Sequence, residues 1–185
     1  MLEDILTQKK ASIVKKWLGL IADTHPAGAS FFKDKDRFTN PVAYIFSSET
    51  EVLYEELLNG LVDSEKALLS LENVIKIRAV QEFSPSQAVG FVFLLKKAIR
   101  EELRGESRHE QSLAELAKFE SKIDELALQA FDIYTGSRER MHEVRVNEMR
   151  NERENAFRLL DRIALKYGKI EGEVTCGHNG SEVLE

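Results

Sequence analysis

Four histidines and a single cysteine are the side chains in this chain of 185 residues that are best suited to hold a metal ion. The histidines are His25, His109, His142 and His178, and the cysteine is Cys176. Two ligands on one face of a helix must lie three or four residues apart, as in the H-E-x-x-H zinc motif. No two histidines have that spacing, and Cys176 and His178 stand beside glycines in a stretch without apolar periodicity. We therefore expect no metal site.

Carboxylates and nucleophiles do not indicate a reaction either. A di-iron site in a helical bundle needs Glu-x-x-His pairs that point into the bundle core. Asp4, Glu51, Glu55 and Glu56 lie among apolar residues, but no such histidine accompanies them. The chain has no G-x-S-x-G motif and no glycine-rich phosphate loop, and no base is expected to be held beside Cys176. The sequence thus indicates a protein that is not an enzyme.

Aromatic side chains are the remaining candidates for a binding site. The members of this candidate apolar pocket are Trp17, Phe46, Tyr54, Phe91 and Phe93. They lie on helices that are predicted to meet, so a small apolar ligand could bind among them. The alternative is that they fill a close-packed core, which is the usual state of a protein interior. The sequence favours the packed core.

A central helix is predicted to position these aromatic residues. Ser84 precedes Pro85 and lies three residues before Gln87, which is the pattern of a capping box with proline at the first helical position. The run at residues 88–95 reads AVGFVFLL and has no polar side chain. A helix that faces water on one side would carry polar residues there. We therefore expect this helix to be covered on several sides.

Three amphipathic helices are predicted before the central one. The first carries an apolar stripe over residues 2–21, the second begins at Asn40 and ends near Gly60, and the third is capped by Asp63. Arg78 lies on or beside the buried stripe of the third helix. Because an unpaired buried charge is costly, we expect Arg78 to pair with an acidic side chain.

The last part of the chain is predicted to be a long helix that pairs with a second copy. Five arginines and five glutamates at residues 138–154 leave only a thin apolar stripe, which favours a helix interface over a broad core. Candidate dimer contacts are Phe131, Tyr134, Met141, Val144 and Glu148. We predict a helical domain over residues 1–135, a dimerisation helix over residues 136–167 and a disordered tail over residues 168–185.

The composition of the chain indicates which partners the protein can attract and in which compartment it works. The chain has 26 basic and 32 acidic residues and a formal net charge of −6, so it is not expected to attract nucleic acid or anionic lipid. The single cysteine excludes a disulfide within the chain and fits a reducing compartment. The first residues lack the apolar run of a signal peptide, and the AVGFVFLL run is far shorter than the roughly 20 residues that span a bilayer. We expect a cytoplasmic protein without membrane insertion.

Five stretches in combination resemble the N-terminal domain family of the RsbT co-antagonist proteins RsbR and RsbRD. They are FTNPVAYIF at residues 38–46, ETEVLYEELLNG at 49–60, IKIRAVQEFSPSQAVGFVFLLKKAIREEL at 75–103, IDELALQAFDIY at 123–134 and VRVNEMR at 144–150. The resemblance implies an all-helical, globin-like domain that holds no haem, dimerises and acts as a sensory input module. In co-antagonists such a module precedes a phosphorylatable STAS domain, and elsewhere it precedes histidine kinases.

The apolar periodicities predict an all-α fold with a long C-terminal helix, and the resemblance implies that this fold is globin-like. The predicted function is that of a sensory or regulatory domain of bacterial stress signalling, dimeric, non-enzymatic and without a cofactor. Two alternatives remain open: a sensor that binds haem or another small apolar ligand, and an adaptor for a respiratory or redox enzyme.

Haem binding can be tested directly. Haem iron in a globin is held by a histidine in an apolar pocket. His109 is the nearest candidate, but the residues around it, Glu106, Arg108, Glu110 and Gln111, are polar. We expect the visible spectrum of the freshly purified protein to lack a Soret band, before and after incubation with haemin. A Soret band that persists through gel filtration would favour the haem-binding alternative.

Overall fold

Helices account for all the regular structure in the described part of the chain. The computed structural model describes residues 2–24, 28, 36–81, 83–104 and 110–175. The helices are α1 (Leu2–Gln8), α2 (Lys10–Thr24), α3 (Pro41–Leu58), α4 (Glu65–Val80), α5 (Pro85–Glu102) and α6 (Glu110–Thr175). The described residues contain no strand, and α6 has 66 residues. The predicted all-α fold with a long C-terminal helix is therefore confirmed.

The chain divides into two compact units, Met1–Arg138 and Glu139–Glu185. The first unit holds α1 to α5 and the first part of α6, and the second holds the rest of α6. The roles assigned to residues 1–135 as a sensor domain and to residues 136–167 as a dimerisation helix stay predictions. None of the helices, over the residues described, has both the length and the apolar character needed to cross a membrane.

The first two helices replace the single helix that the apolar stripe predicted. The division falls at Lys9, which is a turn residue. Lys9 N–H still donates to Ile5 O at 2.9 Å, and Ile13 N–H donates to Lys9 O at 3.0 Å, so the ladder of main-chain hydrogen bonds passes through the division. The buried stripe is therefore kept, and Leu6 and Ile13 are both fully buried.

Two other helix boundaries differ from the prediction. Ser64, and not Asp63, caps α4, and its hydroxyl accepts from Ala67 N–H at 3.0 Å. The Asp63 carboxylate instead accepts a hydrogen bond from the Gln129 side chain. Helix α6 ends at Thr175, so residues 168–175, which were predicted to belong to a disordered tail, are helical. After the costly first turn, each added residue contributes one hydrogen bond, which favours continuation. Residues 176–185 lie outside the described part.

The core of the first unit is held by aromatic side chains that bond to main-chain carbonyls. The Trp17 ring on α2 stacks on Phe91 of α5, with centroids 6.1 Å apart and planes 10° apart. Trp17 Nε1–H also donates to Phe91 O at 2.7 Å. On α3, the Tyr54 hydroxyl donates to Leu6 O at 3.1 Å. Each large aromatic side chain can thus be buried while its polar atom keeps a partner.

Helix α5 begins as predicted. The Ser84 hydroxyl accepts from Gln87 N–H, and the Gln87 side chain accepts from Ser84 N–H, which completes the capping box. Five of the eight residues in the AVGFVFLL run are buried, but Phe93 is 46% exposed. The helix is thus covered on several sides, and the side that carries Phe93 faces solvent. At 3.6 residues per turn, residues two apart point to nearly opposite sides, so Phe91 and Phe93 cannot both face α2.

The capping box gives a prediction for stability. We expect Ser84→Ala to lower the free energy of unfolding by about 1 kcal/mol, because the N–H of Gln87 loses its acceptor. Urea denaturation measures the change. Ser121→Ala is the matched control, since this exposed serine donates to Ala117 O within its own helix and caps no helix end. An equal loss of stability in both variants would contradict the capping role.

Candidate functional site

Four of the five residues of the candidate apolar pocket lie in the core. Trp17, Phe46, Tyr54 and Phe91 are each at most 1% exposed. Phe93 lies apart from them on the surface, where Lys96 Nζ is 5.9 Å from the centroid of its ring. Phe93 is therefore not part of a buried pocket. Whether the other four open to admit a ligand stays a prediction.

A buried arginine lies where three phenylalanine rings meet. We call Arg78, Phe46, Phe83 and Phe91 the Arg78 cluster. The Arg78 guanidinium carbon is 5.7 Å from the Phe46 ring centroid, 4.7 Å from that of Phe83 and 5.3 Å from that of Phe91. Arg78 is 1% exposed. The cluster thus joins the last turn of α4 to α3, to α5 and to the short connection between α4 and α5.

The expected acidic partner of Arg78 is not among the described residues. Its Nε and Nη1 atoms are buried and have no hydrogen-bond acceptor there. The expectation of an ion pair is therefore wrong over this part of the chain. Aromatic faces attract a cation through the ring quadrupole, by about 0.5–2 kcal/mol per contact, so the rings offset part of the cost of burial. Burial lowers the pKa of Arg78 to about 10, which leaves the side chain charged at neutral pH.

Phe83 connects the cluster to the long helix. It lies in the connection between Val80, the last residue of α4, and Pro85, the first residue of α5. The Tyr134 hydroxyl on α6 donates to Phe83 O at 2.7 Å, and the Tyr134 side chain is 4% exposed. Tyr134 was a candidate dimer contact, but its buried side chain is engaged within its own chain. The sequence does not reveal this contact, because a tyrosine on an apolar stripe suits a core and an interface equally well.

The other candidate dimer contacts are more accessible. Phe131 is 49% exposed and Val144 is 56% exposed, Glu148 is exposed and Met141 is half-buried. Their part in an interface stays a prediction.

Large apolar side chains were missing from the candidate interface although they are exposed in the second unit. They are Phe157, Leu159, Leu160, Ile163 and Leu165, with exposed fractions from 43% to 72%. The signal that could have identified Leu160 and Ile163 is a spacing of alternately three and four residues that begins at Val146, which is typical of coiled coils.

Among the histidines, His142 lies in the described part of the chain. His142 and Glu139 have Glu-x-x-His spacing on α6, but both side chains are exposed. His25, His109, His178 and Cys176 lie outside the described residues. Within the described ranges, three or more potential metal ligands do not come together anywhere.

The Arg78 cluster gives a second prediction for stability. Replacing a buried ion by an apolar residue of similar volume is often stabilising, by about 1–4 kcal/mol. We expect Arg78→Met to raise the free energy of unfolding at pH 7 by about 1–2 kcal/mol, because no described acceptor loses a partner. Urea denaturation tests this, with Arg104→Met on the exposed surface as a control that should change stability by less than about 0.5 kcal/mol. A loss of stability in Arg78→Met would show that the guanidinium is fully compensated in the folded protein.

Comparison with known proteins identifies the family. No curated protein and no solved structure matches the chain. A family model described as the RsbT co-antagonist protein rsbRD N-terminal domain matches residues 11–149, which are about three quarters of the chain. The match takes in α3, α4 and α5, the Arg78 cluster and the part of α6 that carries Tyr134. The chain therefore belongs to the family of RsbT co-antagonist protein rsbRD N-terminal domains.

Proposed function

We propose that this protein is a sensory and regulatory domain of bacterial stress signalling that works as a homodimer and holds no haem. Membership of a family of signalling domains supports the regulatory role. The resemblance noted in the sequence supports a globin-like arrangement of the helices. The single cysteine supports action in a reducing compartment such as the cytoplasm. Its partners are then a second copy of the chain and other proteins of the signalling system.

The exposed apolar side chains of the second unit are the main observation in support of a homodimer. Leu160 is 59% exposed and Ile163 is 43% exposed. Apolar surface of this kind gains about 25 cal/mol for each Å² that is removed from water. A contiguous exposed apolar patch marks an interaction site more often than a solvated surface. A second copy of the same helix offers a matching apolar face.

The spacing of the apolar residues supports pairing of two helices. Five apolar residues and one arginine follow each other at intervals of three and four residues in alternation. They are Val146, Met149, Arg153, Ala156, Leu160 and Ile163. This is the a and d pattern of a two-stranded coiled coil, and we call these six residues the heptad seam. Val144 and Glu148, two of the first candidates for the interface, flank the seam rather than lie on it.

A marginal seam suits a regulatory role. Arg153 occupies a core position, and a charged residue there lowers the stability of the helix pair. Two arrangements of such a helix pair can therefore have similar free energies, and a ligand that binds one of them better shifts the population toward it. Helix α6 carries both the Tyr134 contact and the heptad seam, so it is the element that we propose transmits the signal.

Light scattering at micromolar concentration tests the dimer. We expect the wild type to be dimeric and the double variant Leu160→Glu, Ile163→Glu to dissociate at least tenfold more readily, which corresponds to about 1.4 kcal/mol. Two carboxylates on the seam would have to be buried in the pair or would repel across it.

Leu165→Glu is the matched control, because Leu165 is 72% exposed and lies off the heptad seam. It should leave the dimer intact. Circular dichroism should show the same helix content in all three proteins. A monomeric wild type, or a double variant that remains dimeric, would refute the proposed interface.

A further inference from the structure

The Arg78 cluster contains two hydrogen-bond donors that nothing in the described part of the chain satisfies. Arg78 is nine-tenths or more buried, and its Nε and Nη1 atoms lack an acceptor. Phenylalanine faces attract the cation, but they are weak acceptors for an N–H group. Buried polar groups in folded proteins nearly always have a partner, and an exception calls for a ligand, an ion or another physical reason.

The partner that these donors lack must be a hydrogen-bond acceptor, and an anion fits a cation best. A guanidinium is charged at neutral pH, and its planar set of N–H groups matches a carboxylate in geometry. The described cluster supplies a single charged side chain and three aromatic rings. An ion with one negative charge balances it, and the small apolar part of an organic acid suits the rings.

Phe83 is the member of the cluster that can move to admit such an ion. Its ring centroid is the nearest of the three to the guanidinium, at 4.7 Å. Phe46 and Phe91 are fixed within α3 and α5, whereas Phe83 lies in the connection between α4 and α5. The motion required is that of the Phe83 side chain, because the flanking Gln81 N–H donates to Ile77 O and Ser84 O accepts from Ala88 N–H. Because both Arg78 nitrogens are enclosed, an anion reaches them only after a ring has moved.

We propose that Arg78 is the binding site of a small carboxylate, which contacts the guanidinium when the Phe83 ring moves aside. The proposal rests on the sensory function proposed above and names the chemical class of its ligand. The Phe83 carbonyl accepts a hydrogen bond from the Tyr134 hydroxyl at 2.7 Å, so any shift of the Phe83 main chain that accompanies the ring motion reaches α6. Carboxylate binding is thereby linked to the helix that carries the heptad seam.

Fluorescence of the single tryptophan measures this binding in the full chain. Trp17 stacks on Phe91, which also faces Arg78 at 5.3 Å. Sodium acetate is titrated against sodium chloride at constant ionic strength, and we expect a saturable change in Trp17 emission. At an acetate concentration about 100 times Kd, the midpoint of thermal unfolding should rise by about 5–10 °C. Absence of both effects in the wild type overturns the proposal.

Variants separate a specific site from a general salt effect. Arg78→Met should abolish the fluorescence response, and Arg104→Met should keep it. Phe83→Ala should lower the acetate concentration at half-saturation, because no ring has to be displaced. An unchanged response in Arg78→Met, or a weaker response in Phe83→Ala, counts against the proposal. The Phe83→Ala result decides the matter even if Arg78→Met fails to fold.

Failure of this inference and failure of the dimer are distinguishable. Both readouts report on the first unit, and neither needs a second copy of the chain. If the protein is dimeric but does not respond to acetate, the ligand site is refuted and the dimer interface is not. If the protein is monomeric but binds acetate through Arg78, the proposed interface is refuted and the ligand site is not.

Discussion

The first unit depends on the contact between the buried Trp17 side chain of α2 and Phe91 of α5. The indole stacks on Phe91 and donates to the Phe91 carbonyl, so one side chain supplies both apolar burial and a satisfied polar atom. Such a contact fixes the distance and the rotation of the two helices together. Phe91 in turn presents its ring to Arg78. The geometry of the Arg78 cluster is therefore set by the α2–α5 contact.

The Arg78 cluster combines two opposing effects. Removing a charge from water is unfavourable, and three aromatic faces compensate for part of that cost. The compensation acts through the faces of the rings and leaves N–H donors at the edge of the guanidinium without acceptors. A packed core that contains an unsatisfied cation is more stable with an anion than without one. This is the physical basis on which a core can respond to a small molecule.

Helix α6 has two different environments along its length. In the first unit it buries Ile123, Leu126 and Ala130. In the second unit many of its apolar residues are exposed, and among them Leu160 and Ile163 continue a spacing of three and four that begins at Val146. Residues 138–154 carry many charges of both signs, which stabilise an exposed helix through pairs three or four residues apart. A helix of this kind is complete in its hydrogen bonds and incomplete in its packing, which is why we propose a second chain as its partner.

The sequence by itself determined the all-α class, the starts of α3 and α5 and the family, because those signals are local or are carried by runs of residues. Asn40 before Pro41 and Ser84 before Pro85 act within one turn, and both caps form as predicted. Local signals were less reliable where two adjacent residues competed, as at Asp63 and Ser64, or where a helix had no strong stop, as after Tyr167. The tertiary structure alone decided that Arg78 meets three rings and no described acid, that Phe93 faces outward and that Tyr134 bonds to Phe83. Each of these outcomes depends on how helices that are distant in the sequence cross, and the apolar period of one helix does not contain that information.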